Sequence, residues 1–302
     1  MQLNELLEEF VFDLQSRNIS IRTIKTYRNN INQTFAYLKS EYEIHTLDEI
    51  NPRHIKNYAT FMKRKGNKAS YINNVYKSLR AFFKYCNNEE YIETNPMEKV
   101  NWQKEGKTVI ETFTDEEVKE MLSYYKGRDF MSIRNKTIIY CLVDLGIRAN
   151  ELCEMDSLNI FENNLKIVGK GNKERFLPIS PVLKKQMMKY ERAKASYYKN
   201  NTMKYTNYFL SYRGNPLTIE AIERVVRLCG AECDVRGSIR CSPHTFRHYY
   251  SQRHLKNGLD IYTLSRLLGH ETVSITKRYL QSIKDSEVVE MGAITSPLMN
   301  LR

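Results

Sequence analysis

Apolar positions in the first hundred residues recur at helical spacing. Leu3, Leu7, Phe10 and Leu14 make one stripe, and Ile24, Tyr27, Ile31, Phe35 and Leu38 make a second, each separated by three or four residues as on one helix face. Asn51 followed by Pro52 reads as an N-cap and first turn, so a third helix runs through Met62 and ends at Gly66. Ile72, Val75, Leu79, Phe82 and Phe83 line a fourth, from about Ser70 to Tyr85.

The pattern breaks at Asn95-Pro96, and the polar run NWQKEGKTVIE over residues 101–111 predicts a linker. A second domain then opens on a capping box, Thr114 at N-cap and Glu117 at N3. An apolar helix over 133–145, with Ile133, Ile138, Ile139, Leu142 and Val143, leads into Gly146. LKIVGKGNKERFLPI, residues 165–179, alternates apolar and polar positions around a Gly-Lys-Gly-Asn turn and predicts a β-hairpin. Helical spacing returns after it, with a capped start near Thr218. The expected class is therefore mainly α with a small β-hairpin in the C-terminal domain (α+β). At 302 residues the chain exceeds a single core. The boundaries read as a helical domain over 1–100, a linker over 101–111, a second domain over 112–280 and a tail over 281–302.

Charge narrows the partners. Forty-seven Lys and Arg against 35 Asp and Glu give a formal net charge of +12, which favours a polyanion and makes nucleic acid the leading candidate. The N-terminus MQLNELLEEF carries acids where a signal peptide carries bases, and no apolar run spans a membrane, so the expected location is the cytoplasm. Six scattered cysteines suit reduced thiols. Cys229, Cys233, Cys241 and His244 lack a CxxC pair, which argues against zinc and leaves no metal site expected.

Candidate chemistry lies in the second half. In SPHTFRHYY, His244 and Arg247 stand three apart, so both project from one helix face and can grip one phosphate. His248, one position on, points elsewhere and reads as a structural or hydrogen-bonding histidine. Arg148 opens the helix after Gly146, where a helix N-terminus already favours anions. Lys170 sits exposed between glycines in the hairpin turn, without the spacing of a P-loop. His270 follows Gly269, and Tyr279, a possible nucleophile, comes nine residues later. Each has a plain alternative: Arg148 as a salt-bridge partner of Glu151, Lys170 as a solvated lysine, His270 as a helix cap, and Tyr279 as one of 21 tyrosines on an apolar face.

Order and spacing together favour chemistry. GIRANEL, VGKGNKERFLPI, SPHTFRH and LLGH followed by the tyrosine resemble the active-site set of the tyrosine recombinases, or phage-integrase family. TIKTYRNNINQTFAYL and YINNVYKSLRAFFKY resemble that family's helical core-binding domain. Two positions depart from its pattern: Leu145 stands where many members have threonine, and HYYSQRHL follows Arg247 in place of a small-residue run.

The resemblance implies a two-domain, C-shaped clamp on duplex DNA that needs neither ATP nor a cofactor. Tyr279 would attack a scissile phosphate and form a 3′-phosphotyrosine. Arg148 and Arg247 would stabilise charge on the nonbridging oxygens, and His244 and His270 would add donors, one assisting proton removal from Tyr279. Lys170 would protonate the departing 5′-oxygen. Lys25 and Arg28 on one helix, and Lys77, Arg80 and Lys84 on another, are candidates for backbone contacts. The partners implied are double-stranded recombination sites, further copies in a DNA-bound tetramer or a related recombinase, and accessory DNA-binding proteins. The tail, with Val288, Val289, Met291, Ile294, Leu298 and Leu301, would dock on a neighbouring protomer or on its own.

The wording HTFRHYYSQRHLKNGLDIYTLSRLLGHETVSITKRYL is closer to recombinases of mobile elements than to Xer-type resolvases of chromosome or plasmid dimers. A type IB topoisomerase would share the chemistry without partner sites. A non-catalytic regulator is the alternative from another class, because residues 259–280 also resemble a helix-turn-helix; that reading leaves Arg148, Lys170, His244 and Arg247 unused.

Overall fold

The computed structural model describes residues 2–106, 110–169, 173–200 and 204–283, with Ser286, Val289 and Ala293 beyond them. The chain divides into two compact units, Met1–Lys107 and Thr108–Arg302. The chain is mainly helical, with one small antiparallel sheet among the described residues.

The first unit is built from α1 (Leu3–Ser16), α2 (Ile21–Tyr42), α3 (Pro52–Arg64) and α4 (Ala69–Asn88). Their apolar stripes converge: Phe10 and Phe35 both meet Phe82 edge to face, at 5.6 and 5.5 Å between ring centroids. Burying each such ring removes enough apolar surface to stabilise the unit by about 1.5–3 kcal/mol. Asn51 caps α3 with its side chain accepting from the backbone of Arg53 and His54. One buried polar pair, Asn30 Nδ2 donating to Ser78 Oγ at 2.8 Å, fixes α2 against α4.

The segment after Pro96 belongs with this unit. Asn73 on α4 accepts from the Gln103 amide at 2.8 Å and donates to the Gln103 carbonyl at 2.9 Å. It also donates to Glu105 Oε1 at 2.6 Å. Arg80 donates to the Val100 carbonyl and lies over the Trp102 ring at 4.7 Å. Residues 100–105 are therefore strapped to α4.

The second unit contains α5 (Asp115–Tyr124), α6 (Phe130–Leu145), α7 (Ala149–Cys153), α8 (Pro181–Tyr197), α9 (Ile219–Glu232), α10 (Pro243–Lys256), α11 (Ile261–Leu268) and α12 (Val273–Lys277). The capping box at Thr114 and Glu117 is present, as is the side-chain cap from Thr218. Strands β1 (Asn164–Val168) and β2 (Glu174–Pro178) pair antiparallel, with Leu165 opposite Leu177 on the buried face. Helix α6 lies in the core, with Ile138, Ile139, Cys141 and Leu142 fully buried.

Helix α6 ends at Gly146, whose φ of +55° is left-handed. A Cβ there would stand 2.4 Å from the Tyr250 ring on α10. The Tyr250 ring therefore packs into the space that the glycine leaves.

Candidate active site

Three chain segments meet around one cleft in the second unit. The α6–α7 turn supplies Arg148, α10 supplies His244, Arg247 and His248, and the α11–α12 region supplies His270 and Tyr279; all line the same open space. Lys170 lies outside the described residues, but Val168, Gly169 and Lys173 on either side of it border the cleft.

Arg247 is the best-anchored member. It is 4% exposed and donates from Nη1 to the Gly146 carbonyl at 2.8 Å and from Nη2 to the Leu268 carbonyl, tying α6 to the end of α11. Burial, and then the charge of Arg148, pull it down to about 10, so the guanidinium remains charged at neutral pH. A fixed cation at the floor of a cleft presents a preorganised site for an anion.

Arg148 is held by a carboxylate that sequence reasoning treated only as its alternative partner. Its Nη1 donates to Glu151 Oε1 at 2.8 Å, while its backbone N–H donates to Oε2 at 2.9 Å. Arg175 on β2 then grips the same carboxylate, Nη1 to Oε1 at 2.9 Å and Nη2 to Oε2 at 2.7 Å. Burial drives the Glu151 carboxyl upward, but the two arginines and the backbone donor outweigh it and leave it at about 2. Arg175 also donates from Nε to the Leu267 carbonyl at 2.9 Å. One arginine therefore joins the hairpin, the α7 start and the end of α11.

Gly269 makes that junction possible. Its φ is +63°, and a Cβ would lie 3.1 Å from Arg175 Cδ. The turn sends the chain into His270, whose Nε2 lies 3.2 Å from Arg247 Nη2 and whose Nδ1 lies 2.8 Å from Thr276 Oγ1. Since a guanidinium only donates, Nε2 accepts and the proton is assigned to Nδ1. Burial, then the charges of Arg247 and Arg148, bring His270 down to about 4, consistent with a neutral ring.

Tyr279 follows α12, and its backbone N–H donates to the Thr276 carbonyl at 3.0 Å. The side chain is 2% exposed, with the Arg278 guanidinium 5.6 Å from the ring centroid. Its hydroxyl lies 3.0 Å from His248 Nδ1. One expectation is corrected here: His248 does not point away from the site. The i, i+4 geometry of α10 explains it, since the rings of His244 and His248 lie near-parallel, 6.4 Å apart between centroids, along the same side of the helix.

The proposed DNA-contact residues of the first unit divide. Lys25, Lys77 and Lys84 are exposed. Arg28 is paired with Glu8 at 2.7 Å. Arg80 is committed to Val100 and Trp102, so its side chain serves the fold, because an arginine spaced correctly along a stripe cannot be told by spacing alone from one that closes a loop.

With this geometry in place, comparison with known proteins is decisive. The model of the phage integrase family matches residues 111–285, and that of the phage integrase N-terminal SAM-like domain matches residues 7–90. The chain belongs to the phage integrase family. It is a tyrosine site-specific recombinase. The tyrosine recombinase XerD of Listeria monocytogenes is 26% identical, over 93% of this chain and 95% of its own length. The tyrosine recombinase XerC of Natranaerobius thermophilus is 28% identical, over 91% and 93% respectively. The same fold appears in XerH site-specific recombinase bound to a palindromic difH substrate, with TM-score 0.74 at 17% identity, over 97% of this chain and 83% of that one. It appears again in the Tn1549 transposon integrase in complex with transposon right-end DNA, with TM-score 0.71 at 17% identity, over 98% and 100%. No helix among the described residues of this recombinase is long and apolar enough to cross a membrane.

Proposed function

We propose that this recombinase cuts and rejoins strands at specific duplex DNA sites through a phosphotyrosine formed on Tyr279, and that it does so for a mobile element. What carries the reading is the convergence of Arg148, His244, Arg247, His270 and Tyr279 on one cleft. Tyr279 oxygen forms a bond to the scissile phosphorus as the bond to the 5′-oxygen breaks. Because one phosphoester replaces another, a second 5′-hydroxyl reverses the step without ATP. Arg148 and Arg247 face the nonbridging oxygens, where charge must be stabilised, His244 adds a donor from the cleft, and Lys170 protonates the leaving 5′-oxygen. His270 positions Arg247 and α12.

The working unit is a tetramer on two sites in the cytoplasm, with accessory DNA-binding proteins where site synapsis needs them; the tail from 284 on, which lies outside the described residues apart from Ser286, Val289 and Ala293, docks on a neighbouring protomer or on its own. A second reading, Xer-type resolution of chromosome or plasmid dimers, is favoured by one observation: the relatives at 25–28% identity are XerD and XerC proteins. The two readings differ in the DNA. An element enzyme joins the ends of a segment carrying its own gene, whereas a dimer resolvase acts on two copies of one site carried by a chromosome or plasmid dimer.

The test is covalent trapping on a nicked duplex built from DNA flanking the gene. A protein–DNA band on a denaturing gel that is lost in Tyr279→Phe supports the reading. Tight binding by both proteins with no band from either would overturn the catalytic assignment in favour of a non-catalytic regulator.

A further inference from the structure

His248 Nδ1 lies 3.0 Å from the Tyr279 hydroxyl, with the ring centroids 5.6 Å apart. Of the other two cleft histidines, His270 has both ring nitrogens engaged, with Arg247 and with Thr276, and His244 lies one turn before His248 on α10, with its ring centroid 6.4 Å from that of His248. We propose that His248 is the proton acceptor for Tyr279 in strand cleavage. The inference rests on Tyr279 being the nucleophile, as proposed above.

In the step itself the Tyr279 O–H proton passes to Nδ1 of a neutral His248 while the phenolic oxygen bonds to phosphorus. The phosphorus–O5′ bond breaks, and the 5′-oxygen takes its proton from a separate acid. His248 becomes an imidazolium that returns the proton to Tyr279 on rejoining. Nδ1 must be bare for this, which assigns the resting proton to Nε2.

The surroundings keep the ring ready to accept. Burial comes first, then the positive charges of Arg278, His244 and Arg247, and together they hold His248 down at about 4, neutral at physiological pH. The groups facing it are His244 and Arg247 from its own helix, and Arg278 and Tyr279 from the end of α12. A base so depressed is weak, but the charges that depress it are among those a DNA phosphate would neutralise. Substrate in the cleft therefore raises the basicity of His248 at the moment a proton has to leave. Without DNA the Tyr279 side chain stays buried against His248.

The experiment is single-turnover cleavage of the nicked flanking-DNA duplex by the full chain. His248→Ala leaves a ring-sized space beside the phenol, and cleavage is expected to slow about 100-fold, within the ordinary range for a positioned base, with duplex affinity unchanged. Added imidazole is expected to restore much of the rate, more effectively as pH rises through imidazole's own titration. His248→Asn keeps a hydrogen-bonding group but cannot take the proton, and is expected to stay slow. Cleavage by His248→Asn at the native rate, or a His248→Ala loss that imidazole does not repair, would reduce His248 to a packing role and overturn the proposal. Imidazole rescue of His244→Ala but not His248→Ala would move the base to His244. Failure of the underlying reading is separately visible, because then either the native chain forms no covalent band or Tyr279→Phe retains it.

Discussion

Arg175 and Glu151 form a two-point ion pair beneath the candidate active site, with side chains 11% and 8% exposed. The same carboxylate holds Arg148, so β2 reaches the proposed phosphate site through one acid. Breaking a buried pair by removing one partner leaves an uncompensated charge, which typically costs about 3–5 kcal/mol. Because Arg148 remains beside Glu151, Arg175→Ala is expected to fall at the lower end, a loss of about 3 kcal/mol in urea unfolding. Covalent trapping should weaken more than duplex binding, since the arginine acts by positioning. An unchanged unfolding midpoint would mean that the pair contributes nothing net.

Glu151 also gives the second unit an acid dependence. Its folded value of about 2 lies below the ordinary 4.5, so its contribution is fully present above pH 4.5 and disappears as pH falls toward 2. The size is on the order of 3 kcal/mol, since each tenfold change in the carboxyl's proton affinity on folding is worth roughly 1.4 kcal/mol. Glu151→Gln should unfold at lower urea at pH 7 and show a shallower fall in stability between pH 4.5 and 2. Parallel stability–pH curves for the two proteins would sink this assignment.

Charge on the first unit should separate by what each side chain already does. Lys25, Lys77 and Lys84 are exposed, and each Ala substitution at a phosphate contact should weaken duplex binding uniformly across sequences and lower the salt slope by about 0.9. Arg80→Ala should instead destabilise the unit, because Arg80 holds Val100 and Trp102. Binding isotherms at several salt concentrations, read beside thermal melts, distinguish the two classes. A salt-slope change in Arg80→Ala with an unchanged melt would reverse the assignment.

The strap formed by Asn73 makes a related prediction. Asn73 accepts from and donates to the Gln103 backbone, and this pairing keeps the chain around Lys104 against α4. In Asn73→Ala, trypsin should cut after Lys104 several-fold faster than in the native protein, with the cut located by mass spectrometry. Equal cleavage rates would show that Arg80 and Trp102 hold the segment without Asn73.

What could be read from the chain alone followed from how locally each feature is encoded. The helices of the first unit and the hairpin have repeating patterns, and the caps at Asn51, Thr114 and Thr218 are short-range chemistry. Arg148, Arg247, His270 and Tyr279 were recognisable through motif context, and spacing along α10 brought His244 beside Arg247. Arg175 and His248 were not assigned to the site, because their roles depend on partners 24 and 31 residues away. Periodicity carries no information across such separations. Glu151 was within reach of the sequence as a partner of Arg148, since an acid in the first turn of a helix can accept from the backbone N–H at the helix start; its second partner, Arg175, was not. The docking of Gln103 was hidden for the opposite reason, since a polar stretch containing one glycine reads as linker whether or not a buried asparagine captures it.

Gly146 offers the most demanding test, because three constraints meet there. Its left-handed φ of +55° disfavours any side chain, and a Cβ would lie 2.4 Å from the Tyr250 ring. Its carbonyl also accepts from Arg247 Nη1 at 2.8 Å. Forcing a non-glycine residue into this region costs about 1–2 kcal/mol, and overpacking adds about 1–3 kcal/mol. Gly146→Ala should therefore lose about 3 kcal/mol, a fall of roughly 6–12 °C in Tm for a domain of this size. The two parts can be separated, because only the clash depends on the ring. In a double-mutant cycle, Tyr250→Val should recover about 1–2 kcal/mol of the alanine's cost and leave the backbone part. Cleavage should follow the clash more than the backbone strain, since displacement of Tyr250 along α10 disturbs Arg247 three residues away. Strict additivity of the two substitutions would show that the ring and the glycine do not meet.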